Sequence, residues 1–131
     1  MIRIISVGKL REKFYQDAAK EYLKRLPKYT KLEVIDVKTV PQALKQSKGL
    51  LVMLDEKGEE LTSKKFSTFL KDKDITFIIG PAEGFSEEEK KKADYLLSLS
   101  KMTFPHQMIK VFLIEQIYRT FTILKGEKYH K

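Results

Sequence analysis

The chain of 131 residues contains no cysteine and no tryptophan, and only two histidines. Without cysteine there is no disulfide, no thiolate nucleophile and no thiolate metal site, and two imidazoles make a poor metal cage. Long apolar runs are also missing. No window approaches the roughly 20 residues that a membrane-spanning helix needs. The opening MIRIISV is apolar but too short for the core of a secretory leader, and an amphipathic stretch follows it directly. The expectation is a soluble, cytoplasmic protein with no metal and no membrane partner.

What is present is globular. The chain is 42% hydrophobic and 34% charged, which fits one folded domain over residues 1–131 with a core of its own. The net charge is +8 and unevenly spread. Residues 1–48 carry 12 basic and 5 acidic side chains, residues 49–100 carry 8 and 11, and residues 101–131 carry 6 and 2. Basic ends around an acidic middle suit a polyanionic partner, most simply nucleic acid. The competing reading is a solvated Lys/Glu surface of the kind thermophiles favour, since only four of the 26 basic residues are arginine.

Apolar patterning sets out the elements. Ile2–Val7 is β-branched and ends at Gly8, as a buried strand does. Leu10, Phe14, Ala18, Tyr22 and Leu26 recur every four residues, a helical stripe stopped by Pro27. Leu32–Val37 reads as a second strand, Pro41–Lys48 as two short helical turns, and Leu50–Leu54 as a third strand, with a turn at Lys57-Gly58. Thr62 or Ser63 caps a helix through Leu70, and Ile75–Ile79 is a fourth strand. Ser86 starts a helix with three carboxylates where the dipole favours them, and the run EEEKKK at 87–92 reads as its solvated face. Tyr95–Leu99 is the last strand. Continuous apolar strands alternating with helices predict a parallel α/β sheet with helices on both faces.

The final helix, roughly His106–Leu124, is apolar on nearly all its faces. Such a helix must be buried on more than one side. Two readings are open: a twofold dimer formed through this helix, or a central core helix in a monomer.

Ligands in open parallel sheets bind outside the carboxyl ends of the strands. Three segments converge there: Leu54-Asp55, Gly80-Pro81-Ala82-Glu83-Gly84, and the uncharged-looking loop Leu99–Phe104, LSKMTF, with a single lysine. The glycine loop lacks the Lys and Ser/Thr of a phosphate cradle and carries Glu83 instead. It suits a neutral or cationic ligand that takes backbone hydrogen bonds, such as an adenosine or a sulfonium. The bare spacing is equally that of a structural turn.

SLSKMTFPHQMIKVFLIEQIYRTFTILKGEKYHK, with SVGKLREKF, KEYLKRL and FIIGPAEGFS, resembles the RlmH family of bacterial 23S rRNA pseudouridine N3-methyltransferases, of the SPOUT class. The combination of P-H, E-Q-x-Y-R and a terminal Y-H carries the likeness. It implies a C-terminal trefoil knot, S-adenosylmethionine as cofactor, a homodimer, and the pseudouridine of an assembled 70S ribosome as acceptor. By the same resemblance Leu54, Gly80 and the loop residues Leu99, Ser100, Lys101, Met102, Thr103 and Phe104 wrap the cofactor, chiefly through main-chain groups. Two departures stand out: Pro81, where the family usually has a second glycine, and lysine at Lys110 and Lys131, where arginine is common. The segment between the second and third strands is also shorter than usual.

Methyl transfer to N3 needs alignment and a base that takes the proton. His130 is the first candidate, with Tyr129 stacking on or orienting the base, and His106 is the second. The plainer alternatives are a disordered tail histidine and a helix-start histidine bonded to backbone. Lys9, Arg11, Lys110, Arg119 and Lys131 are candidate RNA contacts, with ordinary solvation as the alternative; for Arg119 an ion pair with Glu115 competes. Two other functions stay open: a catalytically silent dimeric RNA-binding scaffold of the same fold, and a small nucleotide-binding domain acting on a metabolite.

Overall fold

The computed structural model describes residues 1–130, so Lys131 lies outside the described residues. Five strands, β1 (Ile2–Val7), β2 (Leu32–Val37), β3 (Leu50–Glu60), β4 (Ile75–Ile79) and β5 (Tyr95–Ser98), form one sheet in the order β2-β1-β4-β3-β5. Every pairing is parallel. The helices are α1 (Lys13–Arg25), α2 (Val40–Gln46), α3 (Ser63–Leu70), α4 (Glu87–Lys90) and α5 (His106–Leu124). A 3-10 turn, Leu26–Lys28, ends α1 where Pro27 removes a donor.

Alternating side chains divide the sheet into two faces. Ile2, Ile4, Val52, Leu54, Ile75, Phe77, Ile79 and Leu97 meet α1, α3 and α5. Ile5, Val7, Leu51, Met53 and Ile78 meet Val40 and Ala43 of α2, with Phe85 and Ala93 flanking α4. The links through α1 and α3 each step one strand in one direction over the first face. Those through α2 and α4 step the other way over the second face. All four crossovers therefore share one hand, as parallel connections do. Because every strand is parallel, the loops that follow β1, β3, β4 and β5 gather at one edge of the sheet.

The helix expected from Leu10 begins only at Lys13. Gly8 turns the chain at φ 113°, and the backbone N–H groups of Arg11 and Glu12 donate to Gln107 Oε1 at 2.7 and 3.2 Å. That bond holds the segment open against the start of α5.

The turn expected at Lys57-Gly58 is absent, because β3 runs on to Glu60. Leu97 on β5 pairs first with Leu54 and again with Glu59, so Asp55–Gly58 is a bulge pushed out of the ladder. Gly58 permits it: a Cβ there would stand 2.6 Å from the Leu96 backbone.

The charged run at 87–92 forms only one helical turn, held by a reciprocal box in which Ser86 Oγ accepts from Glu89 N–H and Glu89 accepts from Ser86 N–H. It is not a uniformly solvated face, because Lys90 turns inward to Asp55 at 3.3 Å. β5 ends at Ser98, whose hydroxyl donates to the Ser100 carbonyl at 2.8 Å and bends the chain into the following loop.

The last helix has the bounds read from the sequence. Leu113, Ile114, Ile117 and Tyr118 are buried against the sheet, and α1 and α3 flank it on either side. Val111, Phe112, Phe121 and Ile123 keep partial exposure, and Leu124 is 40% exposed. No described helix is long and apolar enough to cross a membrane.

Candidate functional site

The looped-out bulge of β3 and the loops after β4 and β5 enclose a cavity of about 420 Å³. Leu54, Gly80, Leu99, Ser100, Met102, Thr103 and Phe104 all line it, joined by Ile79, Leu97 and Ile109 from beneath. Lys101 does not. Its side chain is exposed and reaches Glu60 at 4.0 Å. Gly80 lets the Phe85 ring pack close to the backbone, where a Cβ would meet it at 2.9 Å and turn it aside. Pro81 opens a tight turn in which Gly84 N–H donates to the Pro81 carbonyl at 2.8 Å, and Gly84 holds φ 82°. The missing N–H of Pro81 is thus not needed inside that turn.

The size and chemistry of the cavity fit a nucleoside bearing a positive charge. Its floor is aliphatic, its walls present loop backbone, and Asp55, Glu56 and Glu83 outnumber Lys57 and Lys90 among its other lining side chains. The ammonium of Lys90 is held above its ordinary pKa, first by the Asp55 carboxylate 3.3 Å away.

A second groove, of about 410 Å³, lies next to the first along the same edge. Lys9, Arg11, Tyr15, Gln107 and Lys110 line it, and it shares Ile79, Pro81, Ala82 and His106 with the cofactor-sized cavity. His106 therefore borders both spaces. Its outer edge is open to solvent, but the desolvated side dominates and lowers its pKa, while Glu83 acts weakly the other way. At neutral pH that leaves an imidazole able to accept a proton. Lys110 is not a free cation: it is 7% exposed and donates to Asp36 Oδ1 at 2.8 Å.

The tail sits elsewhere. Tyr129 packs edge-on to Tyr118 and bonds Tyr22 Oη at 3.2 Å and Glu115 Oε2 at 2.9 Å. Burial, then these bonds, push its phenol well above the ordinary range. Arg119 pairs with Glu115 at 2.8 Å and its Nη1 lies 3.0 Å from His130 Nδ1. A guanidinium only donates, so Nδ1 accepts. None of these residues lines the three-loop cavity of its own chain. The cavity gathers the loop residues named from the sequence except Lys101, together with Asp55; sequence reasoning missed Tyr15 and Lys90. The bulge that presents Asp55 leaves a trace only in Gly58, which reads equally well as a turn.

With its parallel sheet and a cavity at the carboxyl ends of the strands, the chain is of the SPOUT class of methyltransferases. A family profile described as "Predicted SPOUT methyltransferase" matches residues 1–130. Ribosomal RNA large subunit methyltransferase H 1 of Clostridium perfringens strain SM101 is 45% identical over 157 aligned positions, covering 99% of each chain. Ribosomal RNA large subunit methyltransferase H of Caldicellulosiruptor bescii is 43% identical over 154 positions and covers 100% of both. The chain belongs to the ribosomal RNA large subunit methyltransferase H family, RlmH. Both alignments are longer than the 131 residues of this chain, so the relatives carry extra residues. Solved structures share the fold at low identity. A probable methylase family protein from Haemophilus influenzae Rd KW20 superposes with TM-score 0.65 at 14% identity, covering 99% of this chain and 70% of that one. The SpoU methyltransferase AviRb of Streptomyces viridochromogenes, solved in complex with AdoMet, gives TM-score 0.58 at 10% identity, over 98% and 59%.

Proposed function

We propose that this chain is an S-adenosylmethionine-dependent methyltransferase acting on large-subunit ribosomal RNA in the cytoplasm, at N3 of a pseudouridine in the assembled 70S ribosome. The observation that carries the reading is the three-loop cavity, neutral in its walls and acidic at its rim, in a chain of the RlmH family. When bound there, the cofactor supplies a methyl group made electrophilic by its sulfonium. The loop Leu99–Phe104, with Leu54 and Gly80, would hold the nucleoside end through backbone groups and apolar contact. The chain's remaining work is alignment of the acceptor and removal of its N3 proton.

Two residues compete for the role of proton acceptor, His130 first and His106 second. His106 stands at the boundary of the cavity and the basic groove, where Lys9 and Arg11 would contact RNA phosphates. His130 and Tyr129 are docked on α5 and Tyr22, so a role for them at a cavity requires the tail to leave its dock or to serve a second subunit. The partly exposed apolar residues on the outward side of α5, Val111, Phe112 and Ile123, support a homodimer through that helix. Arg119 anchors the tail through Glu115 and His130, and would be freed toward phosphate only when the tail moves. We further assign the loop after β5 to a trefoil knot, in which it carries α5 back past the β3 and β4 loops. Lys131 belongs with the proposed RNA contacts by sequence alone.

The test is transfer of labelled methyl from S-adenosylmethionine to 70S ribosomes lacking the modification, beside naked 23S rRNA. Label on N3 of a pseudouridine in ribosomes only is the expected result. Equal labelling of naked RNA sinks the assembled-ribosome part. Cofactor binding without transfer would favour the silent scaffold.

A further inference from the structure

Five charged side chains besides His106 line the cofactor cavity: Asp55, Glu56, Lys57, Glu83 and Lys90. Glu56, Lys57 and Glu83 are exposed and solvated. Asp55 and Lys90 are different, with side chains only 15% and 16% exposed. They come from the two structures that distinguish this rim. Asp55 opens the bulge in β3, and Lys90 ends the single turn of α4 that the Ser86–Glu89 box fixes.

Their own contact is poorly made. Asp55 Oδ2 is buried, lies 3.3 Å from Lys90 Nζ outside hydrogen-bond geometry, and has no other partner among the described residues. A buried carboxylate oxygen without a hydrogen bond is costly, because its lost hydration is not replaced. Lys90 has a second anion within reach, Glu87 at 3.5 Å, on the solvent side. The pair therefore holds one half-buried negative and one half-buried positive charge about an ion-pair distance apart, joined to each other less well than each could be to a ligand.

We propose that Asp55 and Lys90 receive the zwitterionic amino-acid end of the cofactor, Asp55 taking its ammonium and Lys90 its carboxylate. The inference rests on the cofactor reading above. An ammonium carries three donors and can hydrogen-bond the carboxylate squarely, where the lysine, tethered to a short helix, does not. Lys90 swings toward the incoming carboxylate, so both half-buried charges gain a bonded partner and none is left alone. The nucleoside end would then be held by Leu99–Phe104, which line the same cavity. The bulge and the short helix thus read as devices that fix one anion and one cation at the mouth of the nucleoside slot.

Calorimetric titration decides the matter without any turnover. The ligands are S-adenosylhomocysteine and 5′-methylthioadenosine, which share the nucleoside and an uncharged thioether and differ in the amino-acid end, with S-adenosylmethionine alongside. The proteins are the unaltered chain, Asp55→Asn and Lys90→Met. The expected result is that each variant loses about tenfold or more in affinity for S-adenosylhomocysteine and S-adenosylmethionine while its affinity for methylthioadenosine is unchanged. The unchanged ligand also proves that the cavity has folded. Variants that bind S-adenosylhomocysteine as the unaltered chain does, or that lose all three ligands in equal measure, overturn the inference. An unaltered chain that binds none of the three overturns the cofactor reading itself, a result separable from the others because no substitution is involved.

Discussion

Glu115 Oε2 accepts three hydrogen bonds at once: from Tyr129 Oη at 2.9 Å, from Arg119 Nη2 at 2.8 Å and from Arg119 Nε at 3.1 Å. One carboxylate oxygen thus fastens the C-terminal tail to α5, and Arg119 extends the fastening to His130. The residues proposed to act on the acceptor are parked, by a partly buried charge network, on the helix that precedes them.

Glu115→Gln weakens that network at its centre, because a neutral amide accepts less strongly and leaves Arg119 without its counter-ion. The tail should open, and trypsin should cut at Lys125 and Lys128 several-fold faster than in the unaltered chain. The loss corresponds to about 1.5–3 kcal/mol of docking energy, the usual worth of hydrogen bonds to charged groups. Unchanged proteolysis would mean that the packing of Tyr129 on Tyr118, not the carboxylate, holds the tail.

Docking should also depend on alkaline pH. The Tyr129 phenol is raised in the folded chain by burial, and then by its bonds to Tyr22 and Glu115. A raised phenol favours the neutral form in the folded state, so its contribution is fully present below the ordinary tyrosine value of about 10 and is lost as pH rises beyond it. Thermal midpoints should fall between about pH 9 and about pH 11, and Tyr129→Phe should flatten that fall. Tyrosinate absorbance gives an independent readout, since the chain has no tryptophan to obscure it.

Lys110 tests whether a basic residue seen in sequence is a surface charge. Its ammonium is buried against Asp36, an anion on β2 about one-third exposed. Removing one partner of a buried pair costs roughly 3–5 kcal/mol, and the exposure of Asp36 puts the expectation near the lower end. Lys110→Ala should lower the urea midpoint accordingly. A variant of unaltered stability that bound ribosomes more weakly would return Lys110 to the phosphate contacts.

Two glycines separate backbone from side-chain constraint. A methyl at Gly58 meets the Leu96 main chain at 2.6 Å, and one at Gly80 meets the Phe85 ring at 2.9 Å. Backbone in a paired strand cannot yield, whereas a ring can turn. Gly58→Ala should therefore destabilise by about 2 kcal/mol or more, while Gly80→Ala should keep stability and lose cofactor affinity. Equal stability losses in the two variants would refute this ranking.

The sheet and the cavity walls were legible because they rest on local signals. β-branched runs bounded by glycine located β1 and β4, and the bounds of α5 followed from Pro105 and its apolar length. LSKMTF stood out as a loop with too little charge to be merely solvated. The bulge at Asp55–Gly58 was not legible, since it is set by the pairing of β5 forty residues later and Gly58 signals a turn just as well. The inward turn of Lys90 was hidden for a similar reason: EEEKKK describes a solvated face unless the bulge opposite it is known. The parked tail was hidden too, because Tyr129 reaches Glu115 and Arg119 only where the chain folds back along α5, and reaches Tyr22 only through the packing of α1 on α5.

The most direct measurement compares the intact chain with one truncated before Tyr129, for binding of S-adenosylmethionine and for labelled methyl transfer to ribosomes that lack the modification. The account predicts that both bind the cofactor, because no tail residue lines the three-loop cavity, and that only the intact chain transfers the methyl group. Transfer at the full rate by the truncated chain would contradict it and move the chemistry to His106 and the loops around it.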